Sequence, residues 1–263
     1  MDINNGLVPL PRQPRPRPKT KEAYIIGNGP SRLEVDLSEL KKEGTIFGCN
    51  ALYRDFRPDW LLSGDATITK EICGSGYPEN NWCIFPDWDP LPWEFRDTIL
   101  EPFKAQGYRI LESGVGDHEH IQIFGLSEDP ANDMQVHVVG VNPDWKVMNM
   151  VGTDEDPNFS VNFFAGSNAM AQASIMGFEK ICLVGFDSIW NFIPETYQNI
   201  YAGTNAYDSE VETKRLRVGT DNPNSLIGTQ EAQIKKVLDR FKNIEYTIYS
   251  SGNKTPLTYD SFK

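Results

Sequence analysis

Much of what the chain lacks is informative. No window of its 263 residues approaches eighteen uninterrupted apolar positions, which excludes a membrane-spanning helix. The first thirty residues hold no secretory apolar run, since Leu7-Val8-Pro9-Leu10 is short and interrupted by proline. Histidine is scarce, with three residues, and none of the four cysteines (Cys49, Cys73, Cys83, Cys182) forms a CxxC pair or a zinc-like spacing. Cys49 and Cys182 fall in strand-like apolar runs and read as buried thiols, so the expected setting is reducing and cytoplasmic. Six Trp, ten Tyr and fourteen Phe exclude a chain disordered throughout.

Charge is uneven. Residues 1–21 carry Arg12, Arg15, Arg17, Lys19 and Lys21 against Asp2 alone, a net +4, which leaves −16 on the rest of a chain totalling −12. A body that acidic repels a phosphate backbone, which argues against general nucleic-acid binding. Small anions remain open as ligands wherever backbone N–H groups converge. The run from Pro9 to Pro18 alternates proline with arginine and must be extended, because proline lacks an amide donor and restricts the residue before it. Residues 1–21 are therefore expected as an arm, either solvated or docking through residues 9–21 on an acidic protein surface, a second copy of this chain included.

From residue 22 to 263 one α/β domain is expected. Ala23–Gly27, Thr45–Cys49, Asp59–Ser63, Trp82–Phe85, Lys180–Gly185 and Ile244–Tyr249 read as short buried strands. Ala165–Gly177 is a helix of small side chains stopped by Gly177, and Thr229–Lys242 is an amphipathic helix. Strands alternating with helices predict a doubly wound, mostly parallel, Rossmann-like sheet. Residues 86–160, with strands near Tyr108–Leu111 and Gln135–Val139, are expected as an irregular insertion over one edge or mouth of that sheet. Residues 188–227, which include Trp190, Tyr197, Tyr201 and Tyr207, are long for a connection and suit a lid.

The chemistry is expected at strand ends. Gly27-Asn28-Gly29-Pro30-Ser31 follows the first strand, and its glycines permit a tight turn and close approach to a ligand. Asn28 tolerates left-handed dihedrals, Pro30 and Ser31 suit a first helical turn, and the loop is neither GxGxxG nor a P-loop. Asn50, Asp65 and Asp187 close three further strands. If those strands are parallel, all four polar residues share one rim, although a lone aspartate after a strand is also an ordinary helix cap. Asp65 and Asp187 are the candidate ligands for Mg²⁺. His118 and His120 share a face if extended and, with His137, lie in the variable middle; Asp154-Glu155-Asp156 reads as a solvated acidic loop.

These blocks carry a resemblance. Tyr24–Ser31 (YIIGNGPS), Phe47–Asn50 (FGCN), Pro58–Asp65 (PDWLLSGD) and Phe164–Asp187 are similar to conserved stretches of a Rossmann-like group. That group includes bacterial lipooligosaccharide α-2,3-sialyltransferases, motility-associated flagellin glycosyltransferases and archaeal 6-hydroxymethyl-dihydropterin pyrophosphokinases. The blocks cover about a quarter of the chain, in the family's order. The resemblance implies a nucleotide or nucleotide-sugar ligand held by Asn28, Gly29, Ser31 and Asn50; Gly27 and Ser167 join them as candidate binding residues. The catalytic candidates beside it are Asp65, Asp187 and Tyr201, with Tyr201 or Tyr197 as an O–H donor to the leaving group. Two departures stand out: Thr229 occupies the place of the sialyltransferases' general-base histidine, and Ile189 that of a tyrosine. The expected function is glycosyltransferase-like, by direct displacement. The alternatives are an Mg²⁺-dependent pyrophosphokinase, with Trp60 or Phe186 lining a ring pocket, and a non-catalytic assembly protein such as a virion component in a host cytoplasm.

Overall fold

The computed structural model describes residues 19–85, 88–90, 100–101, 104–105, 109–115, 118–124, 135–140, 144–156, 159–160, 163–187, 199–207, 226–250 and 252–262. The Pro/Arg-rich run of the arm lies outside them. Lys21, by contrast, is tied to the body: its carbonyl accepts from the amides of Glu179 and Lys180, and its ammonium pairs with Glu179 at 2.7 Å.

Twelve strands occur among the described residues: β1 (Glu22–Ile26), β2 (Thr45–Cys49), β3 (Trp60–Leu62), β4 (Cys83–Phe85), β5 (Trp88–Pro90), β6 (Arg109–Val115), β7 (His118–Phe124), β8 (Gln135–Gly140), β9 (Val147–Asn149), β10 (Lys180–Val184), β11 (Glu245–Ser250) and β12 (Asn253–Pro256). The main sheet runs β12-β11-β10-β1-β2-β3-β4-β9, and every pairing in it is parallel except the hairpin β11–β12. Its inner strands β1, β2, β3, β4 and β10 are short, mostly apolar and buried runs, the composition expected when both faces are covered. The fold is thus doubly wound and mostly parallel, as the strand–helix alternation predicts.

Period-two alternation sorts these strands into two cores. Ala23, Ile25, Phe47, Trp60 and Leu62 face α4 (Ala165–Ile175) and α5 (Leu226–Arg240), which contribute Ala169, Met170, Ala171, Ala173, Ile234 and Val237. Tyr24, Ile26, Ile46 and Leu61 face the other way, toward Leu40 of α1 (Leu37–Glu43), Ile68, Ile72 and Cys73 of α2 (Ala66–Gly74), and Tyr201 and Tyr207. A short helix, α3 (Tyr77–Asn80), follows α2. The eight consecutive residues Ser167–Ser174 of α4 are all buried, because their small side chains let the helix lie close on β1, β2, β3 and β10. The helix ends as the sequence suggests: Met176 is the C-cap and Gly177 adopts φ +89°, the left-handed conformation that favours glycine.

The middle of the chain is more regular than its sequence indicates. Residues from 88 to 140 supply a second sheet, ordered β5-β8-β7-β6, which packs through β6 and β7 against α2. Val147–Asn149 then returns as the edge strand beside β4. The sequence indicates a strand near Tyr108–Leu111, where β6 spans Arg109–Val115, and carries no clear signal for β5, β7, β9 and β12. β5, β9 and β12 are three or four residues long with polar or proline positions, and β7 opens on the polar His118-Glu119-His120 before its apolar half. His118 and His120 fall on β7 and His137 on β8. All four cysteines are free and buried, and burial raises the Cys49 thiol to about 12.

Gly177 has no neighbour within 4 Å of an added Cβ, so only its backbone conformation resists substitution. Gly177→Ala is expected to cost about 1–2 kcal/mol in urea unfolding. Because the position faces the far end of α4 from the strand-end loops, ligand affinity at those loops should not change.

Candidate functional site

The strand order reverses at β1. Strands β2, β3, β4 and β9 extend to one side, and β10 and β11 to the other. In open parallel sheets the carboxyl ends of the two strands flanking such a reversal diverge into a crevice, where ligands bind. Here those ends are Gly27-Asn28-Gly29 after β1 and Gly185-Phe186-Asp187 after β10.

The two loops touch along their backbones. The amides of Gly27 and Gly29 donate to the carbonyls of Val184 and Gly185 at 2.8 and 2.9 Å. A Cβ on Gly27 would stand 2.5 Å from the Gly185 carbonyl oxygen, and one on Gly29 2.7 Å from the same atom. Gly185 itself has φ +75°. Glycine is therefore required at Gly27 and Gly29 by the approach of the opposite backbone.

After Gly29 the chain turns into η1, a 3-10 helix (Pro30–Glu34) with Pro30 in its first turn and no side-chain cap of its own. Asp187 supplies that cap from across the crevice. Its carboxylate accepts from the Ser31 amide at 3.2 and 3.3 Å and from the Ser31 hydroxyl at 2.8 Å. Ser31 and Asp187 are thus brought together, as loop-fixing partners. Asp65 caps α2, one oxygen accepting from the amides of Thr67 (2.8 Å) and Ile68 (3.4 Å). Its other oxygen has no partner among the described residues, and the residue is exposed. Each of the two carboxylates offered for Mg²⁺ is thus engaged in fixing its own loop, Asp187 with Ser31 and Asp65 with α2. Among the described residues no three His, Cys, Asp or Glu side chains form a group that could hold a metal ion.

Two asparagines stand out at adjacent strand ends. Asn50 follows β2, opens the 3-10 helix η2 (Asn50–Arg54) and holds φ +53°, a conformation that asparagine tolerates better than most residues. Its buried side-chain carbonyl oxygen has no hydrogen-bond partner among the described residues, and neither has that of Asn28. The other end of the Asn28 amide donates to the Tyr207 hydroxyl at 3.4 Å. Turning the amide over would only exchange which end is left alone. A buried, unpaired amide oxygen costs on the order of 1–3 kcal/mol, so two together mark a place where a ligand's donors belong. Asn149, at the end of β9, and Asn168, on the first turns of α4, carry further buried oxygens without a partner among the described residues, which the sequence does not announce. Ser167, beside Asn168, is buried.

Residues 199–207 form a strap against the same loops; 188–198 and 208–225, with Ile189, Trp190 and Tyr197, lie outside the described residues. The Ile200 amide donates to the Asn28 carbonyl at 2.9 Å. Tyr201 sits in a closed triad, its hydroxyl donating to Asp55 at 2.6 Å and accepting from Arg32 at 3.0 Å, while Arg32 pairs with Asp55 at 2.6 Å. That hydroxyl is therefore engaged in holding the strap. Arg54 grips Glu71 with two bonds of 2.8 and 2.6 Å and donates to the Thr204 hydroxyl and the Asn205 carbonyl. Trp60, offered above as a ring platform, lies in the core between Phe47 and Trp82, and Phe186 is likewise a core residue packed on Gly166. Thr229 falls in the first turn of α5.

The sequence matches no family model and no curated protein. Among solved structures it is similar to the monofunctional α-2,3-sialyltransferase Cst-I of Campylobacter jejuni. The identity is 13% over 96% of this chain and 86% of that one, with a TM-score of 0.48. An α-2,3-sialyltransferase of the same organism in its apo form gives 14% identity, coverage of 92% and 82%, and a TM-score of 0.44. A point mutant of the α-2,3/8-sialyltransferase CstII gives 12%, 86% and 80%, and 0.40. Likenesses of this size assign no residue role.

Two outcomes are expected. Gly27→Ala forces the β1 and β10 ends apart, so it should destabilise the fold and remove any ligand binding at the crevice together; equilibrium unfolding and a binding titration on one sample check this. The second concerns acid. Burial alone raises the Glu71 carboxyl, but its bonds from Arg54 and Tyr53 outweigh that and hold it below the ordinary 4.5. A carboxyl depressed in the folded state contributes stability above its unfolded pKa and loses it as pH falls through the folded value. Unfolding free energy should therefore fall from neutral pH toward pH 3. Glu71→Gln should start lower at pH 7 and fall less steeply.

Proposed function

We propose that this chain is a glycosyltransferase-like enzyme that binds a nucleotide-activated sugar at the β1–β10 crevice and transfers the sugar by direct displacement. The observation that carries the reading is the pair of unpartnered amide oxygens, Asn28 and Asn50, at neighbouring strand ends beside the point where the strand order reverses. Nucleotides answer both needs of such a place, since ribose hydroxyls and base amino groups donate to amide oxygens. Such ligands bind outside the carboxyl ends of parallel strands where the strand order reverses. The similarity of the GNGPS, FGCN and PDWLLSGD blocks to glycosyltransferase sequences supports the same choice.

In the displacement, an acceptor hydroxyl oxygen forms the new bond to the sugar's anomeric carbon while the bond from that carbon to the nucleotide phosphate breaks. The acceptor proton needs a base, and Asp65 offers a carboxylate oxygen without a partner among the described residues at the end of β3. Asp187 acts by keeping Ser31 and the glycine loop in place.

The test is a thermal-shift screen with CMP, UDP, GDP, ADP, ATP and CMP-sialic acid. A ligand of the native state raises the melting temperature by mass action. The shift should disappear in Asn28→Ala and in Asn50→Gly, which removes the amide and keeps the left-handed backbone accessible. Asp65→Asn retains an N-cap, so it should leave both stability and nucleotide binding close to wild type while lowering sugar transfer by orders of magnitude. No shift with any nucleotide at millimolar concentration would overturn the reading and favour a non-catalytic assembly role.

A further inference from the structure

The two arginines on the strand-end helices are disposed unlike surface cations. Arg32, directly after the GNGPS loop, is 4% exposed, and a guanidinium that deeply placed is costly unless its donors are met. Its partners come from two separate places, Asp55 at the end of η2 and Tyr201 on the strap. Arg54 lies over both strap tyrosines, its guanidinium carbon 5.5 Å from the Tyr201 ring centre and 5.9 Å from that of Tyr207. Its fork is held on the far side by Glu71 of α2, whose second partner is Tyr53 at 2.6 Å. Together these bonds fasten one short strap to the loop after β1, the loop after β2, and α2.

The strap ends over the amide of Asn28. Ile200 holds the Asn28 backbone carbonyl, and the Tyr207 hydroxyl holds one end of its side chain. A free asparagine amide turns about its last torsion with little resistance. Held at one end by Tyr207, it presents the other end, unpartnered, in a fixed direction. The sequence of contacts runs from Glu71 through Arg54 to Tyr207 and then to Asn28, and a second branch runs from Asp55 and Arg32 through Tyr201 to the same strap.

We propose that Arg32 and Arg54 are positioning residues for the nucleotide site. They clamp the strap 199–207 so that Tyr207 fixes the Asn28 amide, and the clamp governs how fast a bound nucleotide leaves. This rests on the nucleotide reading above. Arg54→Lys would not substitute, because an ammonium neither forks onto Glu71 nor lies flat on the tyrosine rings.

The experiment uses the full chain and whichever nucleotide of the screen above shifts the wild type most. It reads two quantities: hydrogen exchange of the strap amides Ile200, Ala202, Thr204 and Tyr207 without ligand, and the nucleotide dissociation rate by stopped flow. Arg54→Ala is expected to accelerate both, each by about tenfold, the scale of losing one or two hydrogen bonds. Tyr207→Phe keeps the ring under Arg54 and deletes only the hydroxyl facing Asn28. It should speed dissociation about fivefold and leave exchange within about twofold of wild type. The double variant should dissociate no faster than Arg54→Ala, since both changes act on one path. Should Arg54→Ala melt too low to measure, Tyr201→Phe, which deletes the hydroxyl shared by Arg32 and Asp55, is read by the same criteria.

Faster strap exchange with unchanged dissociation in Arg54→Ala would overturn the proposal, as would unchanged exchange or a double variant whose effects multiply. In those cases the nucleotide reading itself would stand, since the wild type binds. A wild type that binds no nucleotide would overturn both.

Discussion

The approach of two backbones at the ends of β1 and β10 governs everything that follows at the rim. Hydrogen bonds from Gly27 and Gly29 continue the β1–β10 ladder beyond the strands themselves, and the space between the loops admits no Cβ at either glycine. That closeness brings Asp187 within reach of Ser31, so a residue more than 150 positions away caps the helix the glycine loop begins. With the loop so fixed, Asn28 is carried to the crevice mouth and Arg32 is turned inward to Asp55. Each later contact presupposes the first.

Polar atoms at this rim divide into those already satisfied and those left open. Asp187, Ser31, Tyr201, Arg32 and Asp55 answer one another, and Asp65 answers the amides of α2 with one oxygen. Among the described residues, Asn28 and Asn50 find no partners for their amide oxygens. Folded proteins rarely leave buried acceptors unpaired, so the contrast separates the scaffold of the site from the part that meets something else. It also reassigns weight among the acidic residues. Sequence position alone makes Asp65 and Asp187 equivalent, each an aspartate after a strand. The structure gives one a loop to hold and leaves the other half free.

How much of this is legible in the sequence depends on the range of the interaction. Strand interiors announce themselves locally: Tyr24-Ile25-Ile26, Thr45–Cys49 and Lys180–Val184 are apolar runs closed by polar or glycine residues, and their parallel pairing follows from the helices between them. The strand-end loops are legible for the same reason. What is not legible is partnership across long separations. Nothing about Arg32 in the string Pro30–Glu34 indicates that it is buried, because the carboxylate and hydroxyl that permit burial sit at Asp55 and Tyr201. The edge strands fail differently: Val147–Asn149 and Asn253–Pro256 are short and carry polar side chains, so no alternation accumulates. The second sheet shares that weakness, with His118 and His120 in a strand the local pattern does not favour.

The register of β1 against β10 has a bearing on how the chain comes to be folded at all. Glu22 lies opposite Lys180 and Ile26 opposite Val184, so the two strands that enclose the crevice are among the last to meet as the polypeptide is made. β2, β3 and β4 can assemble beside β1 from local chain, but the glycine loop has no support until β10 arrives. Contacts of such long sequence separation form late and slowly. During synthesis, then, the crevice comes into being only when most of the protein has left the ribosome. A ligand that recognises it would distinguish chains in which β10 has docked on β1 from those in which it has not.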